Sequence, residues 1–525
     1  MTSAIQLNQL QWGIYGRLTQ LKAGYNAPRQ FEVIPDIAQS WEWSPDRMTL
    51  TLKLRPGVKF HNKAPLNGRT MDAQDVLFSW ERFTKLAPAR TTMANSANPD
   101  APVLSVTSTD ANTVQIKLKE PLVYLLAFLA NNIPGYMQIM PRETDGGYDI
   151  RRDNIGTGPF YLSSYTPAVG YTLKRHVDYY EKDAPLVDTV EMPFITEYAQ
   201  AIAQLKAGNI MTYTQIRGSD VVAVKKEKPE LVMQVTDVTP NEQKTAFGWQ
   251  PAGKAAFQDE RVRQALSMSY DRDLWLDTFY NVSDFEKQGL AVDVRWNSHL
   301  PMIDGWWIDP RNEKEFGSNA KYFKHDITEA KKLLAAAGHT SGLEVTATFI
   351  GGPNYGTDYQ RQIEVLHGMS NEAGFKYKNN VIDYQTEFLP KYRDSQGAHE
   401  GLTYKQGPRP SEDPAARTEF DFYSKSGQNF LGFDAGNKGD KSGDPFIDNL
   451  LIKARGETDD KRRKAMLFEL QNYLAKTMYG IRWPGGASGF NLAWPALGNF
   501  GVFHQDNRGL PYNYWVDDTK APLKS

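Results

Sequence analysis

The chain contains no cysteine among its 525 residues, which excludes disulfides, thiolate zinc sites, iron–sulfur ligation and a cysteine nucleophile. A lipid-anchoring cysteine ahead of residue 1 is compatible with this. Long apolar runs are missing too: the longest, Leu122 to Ala130, has nine residues, against roughly 20 needed to cross a bilayer. Charge of one sign is also lacking. Sixty Lys plus Arg stand against 62 Asp plus Glu, a formal charge of -2, so no net field draws the molecule to nucleic acid or an anionic membrane. The opening Met-Thr-Ser-Ala-Ile has no basic or apolar leader region, and any export signal is expected to have been removed or never to have existed.

What is present is an ordinary globular composition, 40% hydrophobic and 23% charged, too apolar for a disordered chain. At roughly 150 residues per domain the length implies three or four units, or two large lobes with an insertion. Met48 to Leu54 alternates apolar and polar residues, the period of a half-buried strand, and Arg55-Pro56-Gly57 turns it. Thr70 or Asp72 can cap a helix carrying Val76, Trp80 and Phe83. With the alternating strand Thr113 to Leu118, these suggest a small α+β unit from about 40 to 155.

Further on, Phe160 to Tyr165 and Tyr171 to Arg175 read as strands, and Tyr198 to Ala207 as a helix closed by Gly208. Asp259 can cap a helix bearing Val262 and Leu266, and Thr328 opens another that Gly338 ends before strand Leu343 to Phe349. Such alternation is what an α/β lobe with a partly parallel sheet requires. Thr458 is expected to cap the last long helix, with Met466, Leu470, Tyr473 and Leu474 on one face, ending before Gly480. Stretches 407–414 and 436–445 are turn-rich loops.

Motifs for catalysis or metal binding are scarce. The eight histidines (61, 176, 299, 325, 339, 367, 399, 504) never fall at i, i+4, so no helical zinc site is encoded locally. No G-x-S-x-G elbow occurs, Gly486-Ala-Ser488-Gly489 being one residue wrong. Gly156-Thr-Gly-Pro-Phe160 lacks the Gly-Lys-Ser/Thr of a phosphate loop, and its proline removes an amide donor. Asp434, Asn437, Asp440 and Asp444 could offer oxygens to calcium, but Gly436 breaks the EF-hand pattern, and a solvated loop is the preferred reading. No catalytic residue, cofactor or metal ligand is assigned.

Several segments together resemble family 5 of the extracytoplasmic solute-binding proteins of ABC importers, which includes oligopeptide-, dipeptide- and nickel-binding members. Pro35 to Trp43, the strand Leu50 to Leu54, Arg55-Pro-Gly-Val-Lys-Phe-His61 and Asp72 to Trp80 resemble its signature region. Ile155 to Phe160 with Lys174 to Tyr180 is similar to its second block. Ala256 to Leu266 with Tyr270-Asp-Arg272, then Ala330 to Gly338, resemble the third and fourth.

The resemblance implies an α/β, two-lobed periplasmic-binding-protein-like clamp (type II, large form) with an extra α+β subdomain. Lobe one would comprise residues 1–40, 156–246 and 480–525, the subdomain 41–155, and lobe two 247–479. The hinge would lie near Phe247-Gly-Trp249 and Tyr479 to Trp483, where Gly248 and Gly480 permit unusual backbone angles. It implies a monomeric, periplasmic or extracellular receptor, free or lipid-anchored, that closes on a peptide or similar small solute and delivers it to ABC permease subunits without catalysis.

Peptide binders of this family usually carry an Asp four places before the Pro of an acidic-Pro step. In Arg409-Pro-Ser-Glu-Asp-Pro414 that place is Pro410, which has no charge, and Glu412 could substitute. An oligosaccharide solute is the alternative within the family, and a secreted hydrolase with a dispersed site the alternative outside it. By position near the hinge or the loops between lobes, Trp12, Tyr15, Phe247, Trp249, Tyr404, Arg409, Asn429, Phe430 and Trp483 are the candidate ligand-binding residues, with core packing as the competing role for each ring.

Overall fold

A computed structural model describes residues 13–22, 32–87, 89–130, 137–236, 238, 243–356, 358–406, 413–427, 429–500 and 513–524. The chain divides into two compact units, Met1–Asp237 with Ser488–Ser525, and Val238–Ala487.

The first unit contains a four-stranded antiparallel sheet ordered Ala38–Trp43, Thr49–Leu54, Thr113–Leu118 and Val103–Asp110. Its inward residues Leu50, Leu52, Leu54, Val114, Ile116 and Leu118 are buried, as the period-two pattern demands. Helix Ala73–Leu86 begins at Asp72, which accepts the Gln74 N–H, while Asp75 reaches back to the Asp72 N–H in a capping box. A three-stranded sheet, Phe160–Thr166, Gly170–Arg175 and Thr189–Pro193, surrounds a small core of Ile14, Tyr15, Phe160, Leu162 and Leu173. Helix Tyr198–Ala207 ends on Gly208 at φ 77°, the left-handed position that favours glycine.

The second unit is organised by a five-stranded mixed sheet in the order Phe375–Ile382, Leu343–Ile350, Leu402–Gln406, Gln243–Phe247 and Gly480–Arg482. The first three are parallel, and Gln243–Phe247 runs antiparallel to both its neighbours. Helix Tyr359–Ala373 supplies the crossover between the first two parallel strands. Strand Leu343–Ile350 alternates at its start and is buried continuously from Ala347 to Ile350, the signature of a central strand covered on both faces.

The structure departs from the sequence expectations at several edges. Asp326, not Thr328, caps helix Ile327–Ala336 by accepting the Glu329 N–H, and Asp459, not Thr458, caps Asp460–Thr477 by accepting the Arg462 N–H. The expected lobe boundaries at 246/247 and 479/480 fall inside the five-stranded sheet, because both flanking segments are strands of the second unit; the contact division lies at 237/238 and 487/488. Neither Gly248 nor Gly480 has a positive φ. Gly248 is needed for space: a Cβ there would meet the His399 carbonyl oxygen at 2.1 Å.

Candidate ligand site

Of the nine candidate residues, Trp12 and Arg409, like Pro410 and Glu412, lie outside the described residues. Tyr15 belongs to the core of the first unit, and its hydroxyl donates to Asn154 Oδ1 at 2.9 Å. Burial holds that phenol well above its ordinary pKa.

Phe247, Trp249, Tyr404, Phe430 and Trp483 all fall in one core of the second unit. Phe247 stacks on Phe257 with centroids 4.6 Å apart. Trp249 packs edge-on to Phe433 and Tyr479, lies 5.6 Å from the Arg263 guanidinium and donates its indole N–H to the Leu431 carbonyl at 2.7 Å. Phe430 sits edge-on to Phe433 at 4.8 Å. Asn429 is buried beside it. Core packing accounts for the three rings Phe247, Trp249 and Phe430, since each has aromatic neighbours and the one polar atom among them is satisfied.

Tyr404 and Trp483 differ. They meet at 5.9 Å, edge to face, and Trp483 stacks on Tyr359 and abuts Trp275. Among the described residues the Trp483 indole N–H has no hydrogen-bond partner, whereas the Tyr404 hydroxyl lies against that of Tyr377. A buried polar group without a partner costs about 1–3 kcal/mol, so the Trp483 indole retains capacity for an acceptor.

The opposite face of the same sheet carries charges that the sequence pattern alone did not single out. Lys244 stands opposite Lys405 on one neighbouring strand and opposite Arg482 on the other, placing three buried cations in one row. Helix Pro414–Phe422 contributes Asp421, which pairs with Lys244 and lies 4.0 Å from Arg482. Among the described residues Lys405 has no carboxylate within 4 Å, and it donates instead to the Arg393 carbonyl at 3.0 Å. Burial pushes its pKa down to about 8, against the pull of Asp421 and with the help of Lys244. Each lysine alone reads as a charge interrupting an apolar strand; only the pairing register joins them.

The aspartates considered for calcium serve the loop itself. Asp434 accepts the Lys438 and Gly439 N–H groups at 2.7 and 2.8 Å. Asp444 starts helix Pro445–Gly456 and accepts the Tyr473 and Tyr479 hydroxyls at 2.7 and 3.2 Å. Among the described residues no group of three or more His, Asp or Glu could hold a metal ion, and no helix is long and apolar enough to cross a membrane.

Comparison with known proteins defines the class. The structure of the binding protein AgaA in complex with agropinic acid from A. tumefaciens R10 matches with a TM-score of 0.76 and 21% identity, over 97% of this chain and 94% of that one. DppA of Helicobacter pylori, a periplasmic binding protein in complex with the peptide STSA, matches with a TM-score of 0.74 and 20% identity, over 96% and 92% of the two chains. The fold is thus that of the two-lobed periplasmic binding proteins. Di/tripeptide-binding protein 1 of Pseudomonas aeruginosa (strain UCBPP-PA14) is 25% identical over 480 residues, 88% of this chain and 81% of that protein. Residues 32–427 match the model of the bacterial extracellular solute-binding proteins, family 5, middle region, and the chain belongs to that family.

Proposed function

We propose that this chain is the solute receptor of an ABC importer, working outside the cytoplasmic membrane as a monomer, free or lipid-anchored. Its two units close on a peptide or similar small solute and present it, chemically unchanged, to permease subunits. Closure is driven by the difference in the solute's contact free energy between open and closed forms, and no catalytic step is involved.

The observation that carries this reading is the connectivity. The chain passes between its units twice, at 237/238 and 487/488, and a double connection of this kind suits hinge closure. The di/tripeptide-binding name of the Pseudomonas relative supports a peptide solute. A solute bearing a carboxylate also suits the second unit, where the buried Trp483 indole N–H has no partner among the described residues. We assign Tyr404 and Trp483 as the aromatic residues that meet the solute.

Thermal unfolding against di- and tripeptides, their C-terminal amides and oligosaccharides tests it. A bound solute at a hundredfold its dissociation constant stabilises by about 2.7 kcal/mol and is recovered intact. Stabilisation by oligosaccharides alone would move the solute class, and turnover of any stabilising compound would overturn the receptor reading.

A further inference from the structure

In the first unit the turn Gly156-Thr157-Gly158-Pro159 is held from three sides. A Cβ on Gly156 would stand 2.1 Å from the Ile14 carbonyl oxygen, and one on Gly158 2.4 Å from that of Gly13. The turn therefore lies directly on that backbone, and the Gly158 N–H donates to Ile14 O at 2.8 Å. From the second side, His61 donates its main-chain N–H to Gly156 O at 2.9 Å. Its ring Nε2 lies 3.1 Å from Gly158 O, while Nδ1 accepts the Gly156 N–H at 3.2 Å. From the third, His176 donates its main-chain N–H to Pro159 O at 2.8 Å, and its Nδ1 lies 3.0 Å from the same Gly158 O.

These partners assign the protons. A carbonyl only accepts, so His61 carries its proton on Nε2 and leaves Nδ1 bare for the Gly156 N–H, while His176 carries its proton on Nδ1. Both rings are neutral, both are buried, and they meet edge to face at 4.8 Å. Among the described residues no carboxylate forms an ion pair with either. Nearby, Lys63 pairs with Asp153 and donates to the Leu162 carbonyl. Lys59 and Asp178 pair at 3.5 Å near the surface. The Tyr161 ring lies 6.1 Å from His61, and Tyr179, 6.4 Å from His176, donates to the Tyr180 hydroxyl.

A second proton has no favourable place on either ring. On His61 Nδ1 it would point at the Gly156 N–H, donor against donor. On His176 Nε2 it would meet no acceptor among the described residues. We infer that the two imidazoles form an acid-released latch: neutral, they clamp the Gly156–Pro159 turn to its neighbours, and protonated, they let it go. The latch needs no solute, and so stands apart from the proposed transport role.

Burial is the main cause holding both histidines below their ordinary value, reinforced at His61 by His176 and Lys63. The sign follows. The released state takes up protons first, so the clamp is complete above about pH 6.5 and weakens as the pH falls below it. A member of an extracellular family meets the outside pH directly.

Hydrogen–deuterium exchange of the whole protein at about pH 7.5 and about pH 5, corrected for intrinsic rates, tests the latch. Protection of the peptide spanning 156–162 is expected to fall at least about tenfold, the equivalent of one pKa unit, while strand Thr113–Leu118 of the same unit keeps its protection. The double variant His61→Gln with His176→Asn retains an N–H near each Gly158 contact but cannot charge, and its protection is expected to be independent of pH. Equal protection of 156–162 at both pH values, or the same loss in the double variant, overturns the inference. Should that variant not fold, ring-labelled histidine in the unaltered protein decides: both rings titrate below about 6.5, and a ring titrating at or above it overturns the latch.

Discussion

Lys244 and Lys405 face each other directly across two antiparallel strands, and both side chains are buried. Like charges at directly opposed positions destabilise a sheet. Asp421, reaching in from helix Pro414–Phe422, supplies a carboxylate that pairs with Lys244.

Asp421→Asn is therefore expected to destabilise the protein by about 3 kcal/mol or more, because removing one member of a buried pair leaves the other uncompensated. Lys405→Met is expected to stay within about 1–2 kcal/mol of the parent at neutral pH, the relief of a desolvated charge offsetting the lost hydrogen bond. Urea unfolding of both variants measures this, and equal costs would contradict it. Because the Lys405 pKa is pushed from 10.5 to about 8 in the folded state, the unfolded chain binds the extra proton between those values. The parent accordingly gains stability relative to Lys405→Met as the pH rises through that window.

The second unit should weaken in acid. His299, His367 and His399 are pushed by burial to about 3, 4 and 4, and the His299 Nε2 lies 2.8 Å from the Gly480 carbonyl. Their folded values lie below the ordinary one, so their contribution is intact above about pH 6.5 and is lost as the pH falls toward the folded values. Calorimetry should find the unit weakened by at least about 2 kcal/mol between neutral pH and about pH 4.5. A flat profile would show that the three rings do not become protonated only on unfolding.

Gly248→Ala should cost at least about 2 kcal/mol, since the new methyl meets a carbonyl that belongs to the backbone. Gly57→Ala, at φ 77° with nothing within 4 Å, should cost only the left-handed strain of about 1–2 kcal/mol. If Gly248→Ala left stability unchanged but altered solute affinity, its role would be conformational after all.

Trp249→Ala should lower stability by about 3–5 kcal/mol, as large core truncations do, and leave solute affinity unchanged within error. Trp483→Phe preserves a stacking ring and removes the unpartnered N–H. It should weaken solute binding by about tenfold, the equivalent of roughly 1.4 kcal/mol. Unchanged affinity would remove Trp483 from the site.

Elements with a strong local pattern were legible in the sequence. Strand Thr49–Leu54 declares itself by alternation, and helix Tyr198–Ala207 by its closing Gly208. The hinge role read for Gly248 rested on backbone freedom, whereas Gly248 answers a close approach visible only once His399 is in place. Caps slipped by a residue or two because Asp326 and Thr328, or Thr458 and Asp459, offer the same chemistry side by side. The row Lys405, Lys244, Arg482 was invisible because it is a property of strand register, its first two members standing 161 residues apart in the chain.

Solution scattering with and without a stabilising solute decides whether the two units close around it. The radius of gyration is expected to contract beyond error when a di- or tripeptide binds, while the solute is recovered unmodified. A bound, stabilising solute that leaves the scattering profile unchanged would contradict closure of the two units around it.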